Sequence, residues 1–186
     1  MDQVTSNLLK ELEKTQHDFW NIAHETANFL SILIKATNRK NMLEIGTSNG
    51  YSGIWFGKAL KENGGHLTTI EFYDKRQSVA IENFKTCGVD DVITPIQGSA
   101  VMVLENMPED QEFDIVFIDA NKKEYIKYFN LTDKMLRKGG IIVADNVLSH
   151  AEKVKDFVDT INADERYQVQ TLTLPAGLLL AYKISE

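Results

Sequence analysis

Two short stretches put oxygen-rich side chains directly after apolar runs. FDIVFIDANKK carries Asp119 and, three residues on, Lys122; GGIIVADNV carries Asp145 and Asn146. Two carboxylates brought together without a cation repel each other, and one of them tends to take up a proton. A hard divalent ion removes that cost. Two Asp and one Asn supply only oxygens, which suits Mg²⁺ or Ca²⁺, with Mn²⁺ as a third option, and leaves positions for water or substrate oxygens. Zinc more often takes His or Cys. Beside such an ion Lys122 is favoured as the neutral amine and could act as a general base on a hydroxyl that the metal acidifies. Plainer readings stand next to these: an Asp-Asn pair also ends strands by bonding its own backbone, and Lys122 could be an exposed lysine at a helix start.

A second constellation is LEIGTSNGYSG, residues 43–53, of the form Glu-x-Gly-x-x-x-Gly with Gly53 beyond. Glycine lets a backbone approach a ligand closely and adopt positive φ at little steric cost. The spacing is not the Gly-x-Gly-x-x-Gly of dinucleotide sites, and no Gly-Lys-Ser/Thr for a triphosphate follows. Glu71, closing the run LTTIE, could accept hydrogen bonds from both hydroxyls of a ribose, although NAD sites use an acid there too. Glu44 beside the loop disfavours an anionic pyrophosphate and suits a cationic ligand bearing an amine and a sulfonium, which points to S-adenosylmethionine (SAM). Each glutamate could also be a partly solvated strand-end residue.

For these residues to meet, short apolar runs must line up in a sheet. Strands are expected at 41–45, 67–71, 92–96, 113–118 and 141–145, with helices beginning near Ser52, Asp74, Ala100, Lys123 and Ser149. That alternation predicts a parallel sheet with crossover helices, and strands of such a sheet lie about 4.8 Å apart, close enough for Asp119, Asp145 and Asn146 to converge. YQVQTLTL and LLLAYKI, joined by Pro175, Ala176 and Gly177, read as a closing hairpin. Residues 1–38 read as helix, with Val4, Leu8 and Leu12 and then Ile22, Thr26, Phe29, Leu30, Leu33 and Ile34 forming stripes.

The 186 residues suit one domain, with 1–38 a helical cover and 41–183 an α/β core. A formal charge of −7 with scattered Lys and Arg argues against a protein that binds nucleic acid. The single cysteine, Cys87, allows no intrachain disulfide. A polar, acidic first segment and the absence of any apolar run near ~18 residues predict a cytoplasmic chain without membrane partners.

Together LEIGTSNGYSG, TTIE, FDIVFIDANK and GGIIVADNV, in this order across 41–183, resemble the class I SAM-dependent methyltransferases, and specifically the cation-dependent O-methyltransferases related to catechol and caffeoyl-CoA O-methyltransferases. The resemblance implies a Rossmann-like, seven-stranded, mostly parallel sheet with a C-terminal antiparallel hairpin and helices on both faces. It implies methyl transfer to a hydroxyl of a small, catechol-like acceptor, with Mg²⁺ as the first choice of ion. Glu44, Gly46, Gly50 and Ser52 would line the methionine end of the cofactor, Glu71 would hold the ribose, and Ser99 and Ala100 would lie by the adenine. Thr47, Tyr51, Phe72, Gly98 and Asp119 complete the implied cofactor contacts. Asp119, Asp145 and Asn146 match the metal ligands, and Asp119 and Lys122 the catalytic pair. The family's longer N-terminal region often forms a dimer, so a homodimer is one state this implies. Two departures stand out: Asn121 where a second Asp is common, and Ser149 after DNVL, where the family commonly has an aromatic residue and a long insertion over the acceptor pocket. A metal-independent small-molecule methyltransferase and a non-catalytic SAM-binding module are the alternatives.

Overall fold

The computed structural model describes residues 1–185. Seven strands, β1 Asn41–Ile45, β2 His66–Glu71, β3 Ile93–Gln97, β4 Phe113–Ile118, β5 Leu136–Ala144, β6 Tyr167–Leu172 and β7 Leu178–Lys183, form one sheet in the order β3-β2-β1-β4-β5-β7-β6. The first five pair in parallel, and β7 runs antiparallel to both β5 and β6. Central strands with helices on both faces have no solvated side, which is why β4 reads almost continuously apolar and is buried at every position.

One core lies between the sheet and α1 Gln3–Lys14, α3 His24–Ala36, α4 Tyr51–Asn63 and α5 Asp74–Thr86; the other lies under α6 Ala100–Glu105, α7 Tyr125–Thr132 and α8 Ala151–Ala163. The expected continuous N-terminal helix is interrupted. A short α2, Gln16–Phe19, ends at Trp20, whose φ of 56° is left-handed, and residues 20–23 leave the helical path. The Asn21 side chain donates to Leu12 O at 3.2 Å, and Gln16 Nε2 donates to Asn21 O at 3.1 Å, so the bend is held by side chains. Periodicity records apolar spacing and misses such a local cap. Other boundaries move less: β5 starts at Leu136 instead of 141, a 3-10 turn at Lys122–Glu124 precedes α7, and α8 starts at Ala151. Among the described residues no helix is long and apolar enough to cross a membrane.

The chain leaves β1 toward β2 and β3 and returns to the other side of β1 as β4. Loops at the carboxyl ends of β1 and β4 therefore part in opposite directions, and the crevice between them is where such sheets take ligands. Between β5 and α8 lie only six residues, 145–150, the last four of them a turn. It is tied to the hairpin tip: Val147 N donates to Gly177 O and Leu148 N to Ala176 O, both at 3.1 Å.

The one acid inside β4 anchors the start of β1. Asp114, 4% exposed, accepts hydrogen bonds from Lys40 N at 2.7 Å and Asn41 N at 3.0 Å, and pairs with Arg137 at 2.6 Å. Removing it strands two backbone amides and a guanidinium. Asp114→Ala is expected to lower unfolding stability by about 2–4 kcal/mol in urea titrations; a change under about 0.5 kcal/mol would show that the anchor carries no weight.

Candidate active site

A cavity of about 560 Å³ opens at the carboxyl ends of β1, β2 and β4, lined by Gly46, Thr47, Ser48, Ser52, Glu71, Phe72, Gly98, Ser99, Ala100, Asp119 and Lys122. Its floor depends on Gly46. That residue sits at φ +107°, its N–H bonds Ile70 O at 3.0 Å, and a Cβ there would stand 2.0 Å from the Asp119 carbonyl oxygen. No side chain fits. Glu71 is fixed before any ligand arrives: Oε2 accepts Ser48 N at 2.7 Å and Oε1 accepts Tyr73 N at 2.9 Å. Each oxygen keeps a further lone pair for a hydroxyl donor.

Three residues expected to touch the cofactor do not line this cavity. Gly50, at φ +85°, serves packing: a Cβ would come 2.7 Å from Phe84 Cε1 on α5. Tyr51 is buried on the N-terminal side, its hydroxyl donating to Glu13 at 2.7 Å. Glu44 lies one layer beneath the loop, fully buried, accepting Ser52 Oγ at 2.5 Å and Thr69 Oγ1 at 2.6 Å, with Thr47 and Thr69 hydroxyls 2.6 Å apart. Burial pushes its pKa up to about 7, against the opposing pull of the Ser52 and Thr69 hydrogen bonds. The strand's alternation turns Glu44 toward α4, so it positions Ser52 and does not present a bare charge to the ligand.

At the other end, the β4–β5 register pairs Ile118 with Ala144, and the next residues along are Asp119 and Asp145. Asp119 N donates to Ile45 O at 2.9 Å and Asp145 N to Ile118 O at 3.1 Å, extending the ladder to both acids. Asp145 is 3% exposed, and its Oδ1 has no hydrogen-bond partner among the described residues. Burial first, then the negative charge of Asp119, raises its pKa well above the usual carboxylate range. Asn146 follows in a left-handed conformation, φ 66°, and lines a second hollow adjoining the first. Lys122 Nζ donates to Asp119 Oδ1 at 2.7 Å; both side chains are largely buried. Asp119 and Asp145 thus follow the ends of neighbouring strands, with Lys122 paired to the first of them.

The sequence reading missed the roof. Phe19, Trp20, Asn21 and Ile22, from the bend between α2 and α3, line the cavity opposite the sheet edge, and Ser48 Oγ donates to Phe19 O at 2.7 Å. The Arg76 guanidinium lies 4.8 Å from the Trp20 ring centroid and 5.3 Å from that of Tyr73, a cation–π bracket at the rim. The available signal was Trp20 itself, a large aromatic at the end of a polar segment and outside the apolar stripe.

The family model for O-methyltransferase matches residues 2–184. The chain belongs to the O-methyltransferase family. It is 37% identical over 129 residues to a catechol O-methyltransferase of Niastella koreensis, spanning 68% of this chain and 58%, less than two thirds, of that relative. It is 30% identical over 203 residues to caffeoyl-CoA O-methyltransferase 2 of Petunia hybrida, covering 95% of this chain and 84% of that one. Among solved structures it is similar to an O-methyltransferase from Bacillus cereus in complex with SAH (TM-score 0.85, 26% identity, 98% of this chain and 91% of that chain). It is also similar to the O-methyltransferase TomG from Streptomyces achromogenes in complex with SAM (TM-score 0.85, 25% identity, 100% and 91%). This family membership agrees with the reversed β7 and with the fold the resemblance implied.

Glu44 gives the O-methyltransferase fold a measurable pH signature. Its carboxyl goes from an ordinary 4.5 to about 7 on burial, so between those values the folded protein holds a proton that the unfolded chain releases. The contribution is full below pH 4.5 and is lost as pH rises through about 7. On the order of 3 kcal/mol of pH-dependent stability is involved. Glu44→Gln, studied by urea unfolding without cofactor, is expected to flatten the decline between pH 5 and pH 8; an unchanged slope would place the titration elsewhere.

Proposed function

We propose that this chain is a SAM-dependent O-methyltransferase that uses a divalent ion, Mg²⁺ in the first instance, and acts on a small hydroxylated acceptor such as a vicinal diphenol. One observation carries the reading: a single cavity runs from the clamped Glu71 to the Asp119–Lys122 pair and adjoins the hollow that holds Asp145 and Asn146. Relatives named for catechol and caffeoyl-CoA methylation, and neighbours solved with SAM or SAH, support it.

The residues present fit a hard cation. Asp145 Oδ1 is buried without a partner among the described residues, Asp119 is on the adjoining strand end, and Asn146 adds a neutral oxygen. When bound, the ion supplies acidity to the acceptor hydroxyl and SAM supplies an electrophilic methyl group. The protein's own part is binding and alignment. Glu71 holds the ribose hydroxyls from a carboxylate already fixed by two backbone amides, Gly46 lets the loop lie against Asp119, and the Phe19–Ile22 segment covers the reacting centre. Holding both reactants in one orientation accounts for much of the acceleration of such a displacement. Lys122, whose Nζ lies at the Asp119 end of the cavity, is the group placed to take the hydroxyl proton.

The Lys122–Asp119 ion pair favours a second reading, transfer without a metal, in which Lys122 alone neutralises Asp119. Methyl transfer from SAM to a panel of diphenols, with and without chelator, separates the two. The metal reading expects activity to vanish in chelator and return with Mg²⁺, and Asp119→Ala to lower kcat/KM by roughly 100-fold or more, at least what loss of a supporting group costs at metal sites. Full activity in chelator would establish the second reading instead.

A further inference from the structure

The hollow beside the cofactor cavity has a volume of about 640 Å³ and holds Asp145 and Asn146 in its wall. Its remaining charges are of one sign. Lys122, Lys123 and Lys153 line it beside the imidazoles of His17 and His150, and Asp145 is the one carboxylate among its lining residues. Lys122 is engaged by Asp119, whereas Lys123 and Lys153 form no ion pair with any carboxylate of the described residues. All this occurs on a chain of net charge −7, where cations drawn to one hollow are not explained by the overall balance. Trp20 and Ile22 form an apolar side that suits an aromatic ring.

Resting on the O-methyltransferase reading above, we propose that the acceptor is an anion: a hydroxylated aromatic acid whose hydroxyl lies at Asp119, Asp145 and Asn146 and whose carboxylate meets Lys123, Lys153 and His150. The lysines act as specificity determinants. Being exposed, each contributes modestly and is screened by salt, so the preference is a joint effect of the pair and weakens with ionic strength. A phosphate on a coenzyme A thioester would present the same anionic chemistry, and the acceptor panel separates the two sources.

The test uses the full chain with SAH and Mg²⁺ for binding by calorimetry, and with SAM and Mg²⁺ for turnover. The acceptors are catechol, 3,4-dihydroxybenzoate and caffeoyl-CoA. Dihydroxybenzoate is expected to bind roughly tenfold more tightly than catechol at low salt, with an advantage that shrinks as salt rises. Lys123→Met with Lys153→Met should erase it, Lys153→Arg should keep it, and Lys127→Met, a charge control outside the hollow, should leave the ratio at the wild-type value. Equal or tighter binding of catechol, or a preference that survives the double substitution, overturns the proposal. A lysine-dependent preference confined to the thioester also overturns it, assigning the anion to phosphate. Selective, lysine-dependent binding of the acid without turnover of any acceptor supports the anionic hollow and refutes the methyltransfer reading; turnover of catechol and acid with equal kcat/KM does the reverse.

Discussion

The site depends on one backbone contact: the loop after β1 lies so close to the end of β4 that residue 46 has no room for a Cβ, which would fall 2.0 Å from the Asp119 carbonyl oxygen. From that contact two rows of groups diverge. On one side Gly46 N and Thr47 N both reach Ile70 O, which brings the loop to Glu71 at the end of β2; on the other, Asp119 N bonds Ile45 O and Asp145 N bonds Ile118 O. The same ladder that holds the sheet together therefore sets the separation between Glu71 and the two aspartates. A shift at residue 46 moves both ends of the site, and positioning errors on that scale are costly in a displacement that relies on alignment.

The electrostatics show how the fold tolerates acids at such a place. Glu44 is buried with two hydroxyl donors and a pKa near 7, so it sits under the loop at small charge cost and fixes Ser52. Asp145 is buried with one oxygen unpartnered among the described residues and a like charge on the neighbouring strand. The first arrangement is self-sufficient and the second is not. Groups left unsatisfied in this way are where a folded protein keeps a function at the expense of stability.

Much of this was legible in the sequence, for physical reasons. Buried parallel strands must be apolar along their length, so FDIVFI and IIVA announced themselves, and the acids that end them marked the ligand-bearing edge. The places of Asp119, Asp145 and Glu71 followed from that, and the place of Gly46 from the glycine spacing after the first strand. Side-chain direction was less legible. Glu44 and Tyr51 fall inside the loop motif, yet one turns under the loop and the other toward Glu13 on α1, because strand alternation and the first turn of α4 decide the direction and the motif's spacing does not. The bend at Trp20 was illegible for a related reason: a left-handed residue followed by an Asn that caps the preceding turn leaves the apolar stripe intact while breaking the helix.

The most direct measurement is diffraction from crystals grown with SAH and Mn²⁺, with the ion located by its anomalous signal. The account expects one ion held by side-chain oxygens of Asp119, Asp145 and Asn146, with the ribose hydroxyls of SAH on Glu71 and Lys122 released from Asp119. An ion bound elsewhere, or full occupancy by SAH with Lys122 still paired to Asp119 and no ion at these three residues, would contradict it.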